Sequence, residues 1–157
     1  MTTTSPQPAR WTEPGQVSDY AIRTFREEDR RRLVEIGAAI DPDEKGDLES
    51  WRYHDEQWNH DRFFLLRLVA ERTDGTVLGW GQVQHMPWQF HPEKYALDLQ
   101  VDPTAQGRGI GSALLEQFMA ALHARGAKRV RAAAKESRAN SMAFLMHRGF
   151  AEIQRYW

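Results

Sequence analysis

Apolar and polar residues alternate in several short segments of the chain, and segments with helical spacing of apolar residues separate them. Alternation with a period of two is typical of strands, and recurrence after three and four residues is typical of amphipathic helices. Strands are predicted at residues 20–25, 63–71, 77–86, 95–101, 128–134 and 150–157. Helices are predicted at residues 26–40, with Thr24 as a candidate cap, and at 48–58, 112–125 and 140–147.

The order of these elements predicts an α/β fold. An antiparallel meander comes first, and the later strand–helix–strand order requires a crossover that makes two strands parallel. We therefore predict a mixed, mostly antiparallel central sheet flanked by helices, formed as one domain by residues 19–157. Residues 1–18 are rich in Thr, Ser and Pro, so they are predicted to be a flexible N-terminal arm.

Composition narrows the class of protein. The 157 residues include 21 Lys and Arg against 22 Asp and Glu, so no broad positive field favours nucleic acid or a membrane as partner. The absence of cysteine excludes disulfides and a cysteine nucleophile, and the six-residue spacing of His54 and His60 is no recognised metal motif. Without a transmembrane-length apolar run or a secretory signal, we expect a soluble, cytoplasmic protein that binds no metal.

The most specific motif is the glycine-rich segment Gln106-Gly-Arg-Gly-Ile-Gly111, which lies between a predicted strand and a predicted helix. Three glycines in five residues let backbone N–H groups converge without obstruction by Cβ atoms. The start of the following helix adds N–H donors and the positive end of a dipole, and Arg108 adds a charge. The segment therefore predicts a site for a phosphate or pyrophosphate group.

Two nucleotide motifs fit this segment less well. A P-loop needs lysine before its final Ser or Thr, and Ile110-Gly-Ser lacks it. A dinucleotide fingerprint needs a third glycine where Ser112 stands, and it belongs to alternating strands and helices rather than to hairpins. Glu136 after the next strand keeps an NAD(P)-binding oxidoreductase open as an alternative.

Together these segments resemble the GNAT superfamily of acyl-CoA-dependent N-acyltransferases. Gln106-x-x-Gly-x-Gly matches the family's pyrophosphate motif, and Val101-Asp-Pro precedes it as in many members. Downstream, Ser141-Met-Ala-Phe-Leu and Gly149-Phe look like the family's last helix and the strand after it. The resemblance spans about residues 22–157, and it implies acetyl-CoA or another acyl-CoA as co-substrate and a primary amine as acceptor.

The resemblance also implies a binding mode. The backbone of Val101 would pair with the pantetheine arm, and the thioester would lie where strands 95–101 and 128–134 splay apart. The cofactor-binding residues that it implies are Leu99, Val101, Gln106, Gly107, Arg108, Gly109, Ile110, Gly111, Ser112 and Arg138.

The chain departs from the family pattern in two ways. Leu145 stands where many members carry a tyrosine near the CoA sulfur, and Arg138 stands where asparagine is common. The predicted strands are also one short, so the fold is expected to lack its last strand. That predicts a truncated chain, the first half of a tandem protein, or a strand supplied by a partner such as a second copy. A catalytically degenerate CoA-binding regulatory module is the corresponding alternative.

Acyl transfer to an amine needs a proton acceptor, donors for the oxyanion and a site that holds both reactants. Without cysteine, direct transfer in a ternary complex is expected. The candidate general bases are His85, at the end of a strand, and Asp98, on the polar face of the next, with Asn140 as a candidate orienting residue. The structural alternatives are a loop histidine and a solvated or salt-bridged aspartate.

Residues 41–61 combine eight acids and two bases with three aromatic residues. In the family this region usually flanks the acceptor, so it predicts a rim that suits a cationic amine through charge attraction and cation–π contact. The alternative interpretation is a solvated helix face with a few aromatic anchors in the core.

Overall fold

The computed structural model describes residues 19–43, 46–132, 144–145 and 149–150. The predicted arm at residues 1–18, and most of the predicted last helix and last strand, lie outside these residues. The strands are β1 (Tyr20–Thr24), β2 (Leu65–Arg72), β3 (Val77–Gln84), β4 (Lys94–Val101) and β5 (Arg129–Ala132). The helices are α1 (Arg30–Ile40), α2 (Leu48–Gln57) and α3 (Ile110–Ala124).

The described strands form one sheet in the order β1-β2-β3-β4-β5. The first three pairings are antiparallel, and only β4 and β5 are parallel, because α3 carries the chain back across the sheet between them. The predicted mixed, mostly antiparallel sheet flanked by helices is therefore confirmed. It differs from the doubly wound parallel sheet that the dinucleotide-binding alternative requires.

The predicted cap at Thr24 is wrong. Thr24 is the last residue of β1, where it pairs with Leu68, and a 3-10 turn at Glu27–Asp29 separates it from α1. The Asp29 carboxylate accepts a hydrogen bond of 2.7 Å from the Arg26 backbone N–H. The turn that leads into α1 is thus closed by Asp29, because pairing with β2 keeps Thr24 in the strand.

Each face of the sheet carries its own buried core. On one face α3 packs against β2, β3 and β4 through Leu114, Phe118 and Leu122. On the other face α1 and α2 cover a smaller cluster, in which Trp51 packs against Trp80 with ring centroids 5.3 Å apart. The polar side chains of β3 and β4 lie on this second face, beside the smaller cluster.

Gly81 in β3 lets α3 approach the sheet closely. A Cβ atom there would lie 2.7 Å from the backbone oxygen of Asp98 and 2.7 Å from the Phe118 ring. Neither neighbour can move easily, since one is strand backbone and the other is a fully buried ring. A side chain at this position must therefore push α3 and β4 away from β3.

We expect Gly81→Ala to lower the free energy of unfolding by about 2–3 kcal/mol, in the range of overpacked cores. Urea unfolding followed by circular dichroism measures it. Gly46→Ala is the matched control, because its nearest atoms are Val34 methyl groups 3.8 Å away, an ordinary contact. Equal stabilities of the two variants would show that α3 is not held this closely.

Within the described residues, no helix combines the length and the apolar character needed to cross a membrane.

Candidate active site

Among the described residues, β5 pairs with only part of the edge of β4 that faces it. Within the described residues, the pairing of β4 with β5 ends where Leu97 pairs with Ala132, and β4 continues to Val101. The Asp102 N–H donates to Leu78 on the β3 side. Because successive amides of a strand point to opposite sides, the N–H groups of Leu99 and Val101 point away from β3. We call residues 98–101 the open edge of β4.

The glycine-rich loop adjoins the end of this edge. The side-chain amide of Gln106 donates to the Val101 oxygen at 3.2 Å, which ties the loop to the open edge. Gly107 and Gly109 both have a φ of 84°, a conformation that other residues rarely adopt. Gly109 is the N-cap of α3, and its carbonyl accepts from Ala113, so the amides at the start of the helix have no acceptor within it.

The loop offers room and charge to an anion. A Cβ atom at Gly107 would meet nothing within 4 Å, whereas one at Gly111 would lie 3.3 Å from the Phe144 ring. The Arg108 guanidinium is half exposed and lies 3.9 Å from Asp19, a long contact of little energetic weight. Backbone donors, the helix dipole and a cation therefore converge on one accessible surface.

Asp102 braces the chain between β4 and this loop. Its carboxylate accepts from the Thr104 backbone N–H at 2.9 Å, and it also binds Arg32 of α1. The backbone hydrogen bond from Thr104 and the charge of Arg32 lower the pKa of Asp102. At neutral pH Asp102 is therefore a carboxylate, and it links α1 to the start of the loop.

Asp98 lies on the open edge, directly opposite Gln82 of β3. Its side chain is water-accessible, yet burial raises the pKa of its carboxyl group, and the positive charge of Arg67 lowers it by less. No hydrogen bond engages this carboxyl group within the described part of the chain, so it is free to accept a proton from a bound molecule.

His85 has a different environment. It is 3% exposed, its Nδ1 accepts from the Phe64 N–H at 2.9 Å, and its Nε2 lies 3.2 Å from the Pro92 oxygen. The ring also stacks on Tyr95 with centroids 4.5 Å apart. Since both ring nitrogens bind backbone groups, the geometry corresponds to a structural histidine. It does not support the expected role of His85 as a general base.

The other predicted site residues divide into two groups. Arg138 and Asn140 lie outside the described residues. Ile110, Gly111 and Ser112 form the first turn of α3, although the helix was predicted to begin only at Ser112.

The acidic segment at residues 41–61 is partly structural. Asp55 of α2 accepts from Arg30 at 2.6 Å and from Arg67 at 2.8 Å, and Trp51 belongs to the core. Burial raises the pKa of Asp55, but the hydrogen bonds from Arg67 and Arg30 outweigh it and lower the pKa. Tyr53, by contrast, is exposed. The aspartate at the centre of the predicted rim therefore neutralises buried arginines.

The sequence reading missed a polar row beside Asp98. The register aligns Arg67 of β2, Gln82 of β3 and Asp98 on one face of three adjacent strands. Arg67 Nε donates to Gln82 Oε1 at 2.8 Å, and Gln82 Nε2 donates to Gln84 Oε1 at 3.1 Å. The sequence signal was an arginine inside an apolar strand segment, followed in the next strand by two glutamines two residues apart.

The sequence matches the Acetyltransferase (GNAT) family over residues 20–150. The chain therefore belongs to the GNAT acetyltransferase family, as the glycine-rich motif indicated.

Individual relatives are consistent with this membership. A mycothiol acetyltransferase of Beutenbergia cavernae is 38% identical over 91 residues, which are 57% of this chain and 29% of that protein. The chain thus spans less than a third of that relative's length. The structure of a ribosomal-protein-alanine N-acetyltransferase from Brucella melitensis aligns with a TM-score of 0.70 at 28% identity, covering 85% of this chain and 86% of that one.

The fold also matches a Salmonella typhimurium protein whose structure contains its cofactor acetyl-CoA. The TM-score is 0.68 at 21% identity, and the alignment covers 85% of this chain and 80% of the other. At this identity the likeness concerns the fold.

Proposed function

We propose that this chain transfers an acetyl group from acetyl-CoA to a primary amine by direct attack in a ternary complex. The observation that carries the proposal is the open edge of β4 ending at a glycine-rich loop and the start of α3. Strand amides that point away from β3 suit an extended amide-containing arm, and a helix start with left-handed glycines suits a pyrophosphate. Membership of the GNAT family supports the same conclusion.

The residues present fit such a co-substrate. The backbone N–H group of Val101 would bind the pantetheine arm along the open edge, next to Leu99. The loop from Gln106 to Ser112 would hold the pyrophosphate, with Arg108 adding charge to the backbone donors. The open space around Gly107 leaves this surface accessible.

Bound acetyl-CoA supplies an activated thioester carbonyl and a thiol leaving group whose reference pKa is about 8.5. Asp98 would accept the proton that the acceptor ammonium must lose before it can attack. The raised pKa of its carboxyl group makes it a stronger base than an ordinary aspartate. The Leu99 N–H, next to Asp98 in the chain, would donate to the developing oxyanion.

Turnover of acetyl-CoA against a panel of primary amines tests the proposal, with release of free CoA as the readout. Thermal shift with CoA and with NAD(P) measures which ligand the loop prefers. Stabilisation by NAD(P) alone would overturn acyl transfer. Tight binding of CoA with no transfer to any amine would instead support a degenerate CoA-binding module, which Leu145 suggests.

We expect Gly109→Asp to weaken CoA binding about tenfold or more, a loss of at least about 1.4 kcal/mol. The carboxylate would face the pyrophosphate at the helix start, where an anionic ligand gains from the dipole. Isothermal titration with CoA measures the change. Gly75→Asp is the matched control, because Gly75 also has a positive φ (93°) but lies in the turn between β2 and β3. Unchanged affinity in Gly109→Asp would refute pyrophosphate binding by this loop.

A further inference from the structure

A directed chain of hydrogen bonds crosses the face of the sheet beside Asp98. Arg67 Nε donates to Gln82 Oε1 at 2.8 Å, and Gln82 Nε2 donates to Gln84 Oε1 at 3.1 Å. Arginine carries only N–H donors, so Gln82 must present its oxygen to Arg67 and its NH2 group to Gln84. Gln84 must then present its own oxygen to Gln82. The orientation of both amides therefore follows from the arginine at the start of the chain.

Arg67, at the start of this series of hydrogen bonds, is held in place by its own partners. Arg67 is 7% exposed, and its two terminal nitrogens donate to the Asp55 carboxylate at 2.8 and 3.2 Å. Arg30, also buried, donates to the same carboxylate at 2.6 Å. Because these groups are charged and buried, a different arrangement would leave an unpaired charge inside the protein. The amide orientations of Gln82 and Gln84 are therefore fixed before any ligand arrives.

The far end of this series of hydrogen bonds, Gln84 Nε2, is an available donor. No acceptor takes a hydrogen bond from Gln84 Nε2 within the described part of the chain. Gln82 lies opposite Asp98, and Gln84 lies opposite Ala96, so Gln84 and Asp98 are diagonal neighbours on one face. Diagonal pairs of this kind are about 7–8 Å apart, within reach of long side chains. An N–H donor and a carboxylate that has no hydrogen-bond partner among the described residues therefore lie side by side on one face of the sheet.

We infer that Gln84 binds the acceptor and selects amines that carry a neutral carbonyl group on the adjacent carbon, that is, aminoacyl amides. The amine would bind Asp98, and the carbonyl oxygen would accept from Gln84 Nε2. Because the two side chains are neighbours on one face of the sheet, a short molecule with its amine and its carbonyl group on adjacent carbons would reach both. This inference rests on the proposed function, and it names the acceptor class for that site.

The charge and the hydrogen-bonding groups of the acceptor distinguish aminoacyl amides from alkylamines and from free amino acids. A simple alkylamine has no oxygen for Gln84, so it would bind through Asp98 alone. A free amino acid would place its carboxylate near the carboxylate of Asp98, which repels it. An amide carbonyl avoids both penalties, since it is an acceptor without net charge. The expected order of kcat/KM is therefore alaninamide above both isopropylamine and free alanine.

The test compares alaninamide with isopropylamine in the wild type and in Gln84→Leu. We expect the variant to lose about tenfold in kcat/KM for alaninamide and less than about twofold for isopropylamine, as for one lost hydrogen bond. Gln84→Met keeps the length of the side chain and removes the free donor without adding a charge, so it should show the same selective loss. Gln57→Leu, an exposed glutamine at the end of α2, is the matched control.

A binding measurement separates this inference from the proposed function. In wild-type protein with CoA, the side-chain NH2 resonances of Gln84 should shift on titration with alaninamide and not with isopropylamine. If they shift but no amine is acetylated, the proposed function fails and the acceptor class stands. If amines are acetylated but the resonances do not respond, or the variants affect both amines equally, the inference is overturned. A peptide with N-terminal alanine, compared with alaninamide, shows whether the amide comes from a polypeptide or a small molecule.

Discussion

Replacing Asp98 with asparagine is expected to lower kcat about 10²- to 10⁴-fold, the usual contribution of a general base. The replacement keeps the shape of the side chain but cannot accept the ammonium proton. Steady-state release of CoA measures the loss, and CoA affinity should stay unchanged because the loop is intact. Asp61→Asn, at an exposed aspartate, is the control and should retain wild-type activity.

The pH profile provides an independent check of the same role. Burial favours the neutral carboxyl group of Asp98, so its proton is retained to a higher pH than in an ordinary aspartate. The base form is therefore lost as pH falls through this raised pKa, and log kcat/KM should fall there too. This fall in log kcat/KM at low pH should disappear in Asp98→Asn. A variant with wild-type kcat and an unchanged profile would exclude Asp98 as the base.

Asp55→Asn is expected to lower the free energy of unfolding by about 3–5 kcal/mol, as for a buried ion pair that loses one partner. The variant leaves buried Arg67 without its carboxylate and leaves buried Arg30 with only the exposed Glu27 as partner. Urea unfolding at neutral pH measures the effect. Glu27→Gln is the matched control, because Glu27 also binds Arg30 but is 60% exposed, and exposed pairs contribute at most about 1 kcal/mol.

The pH dependence of stability follows from the same group. Hydrogen bonds from Arg67 and Arg30 outweigh burial and hold the pKa of Asp55 below its unfolded value. Its contribution to stability is therefore present above the unfolded pKa and is lost as pH falls through the folded one. The wild type should lose this part of its stability in acid, and Asp55→Asn should not. Parallel pH curves for the two proteins would contradict the role of Asp55.

Much of the fold could be predicted because its signals are local. Alternation in a strand and apolar spacing in a helix depend on residues that are close in sequence, so β4, α3 and the mixed sheet followed from the pattern. The glycine-rich loop was also readable, because left-handed backbone at Gly107 and Gly109 is a local requirement for glycine. Errors of one to four residues at element ends, and the false cap at Thr24, arise where strand pairing competes with local preference.

The base could not be chosen in the same way. His85 and Asp98 were equivalent candidates as sequence, since both stand in or beside a strand. The structure separates them, because the backbone at Phe64 and Pro92 engages both ring nitrogens of His85 and no described group binds Asp98. These partners lie 21 and 7 residues from His85, beyond the reach of a local pattern.

The sequence by itself determined the family of this protein, its mixed sheet and its glycine-rich loop, since each depends on short-range spacing. Only the tertiary structure decided which side chains share a site. The strand register aligned Arg67, Gln82 and Asp98 across three strands, and α2 added Asp55 to them. Strand register and helix docking bring together residues that are far apart in the chain, so local spacing in the sequence does not predict these contacts.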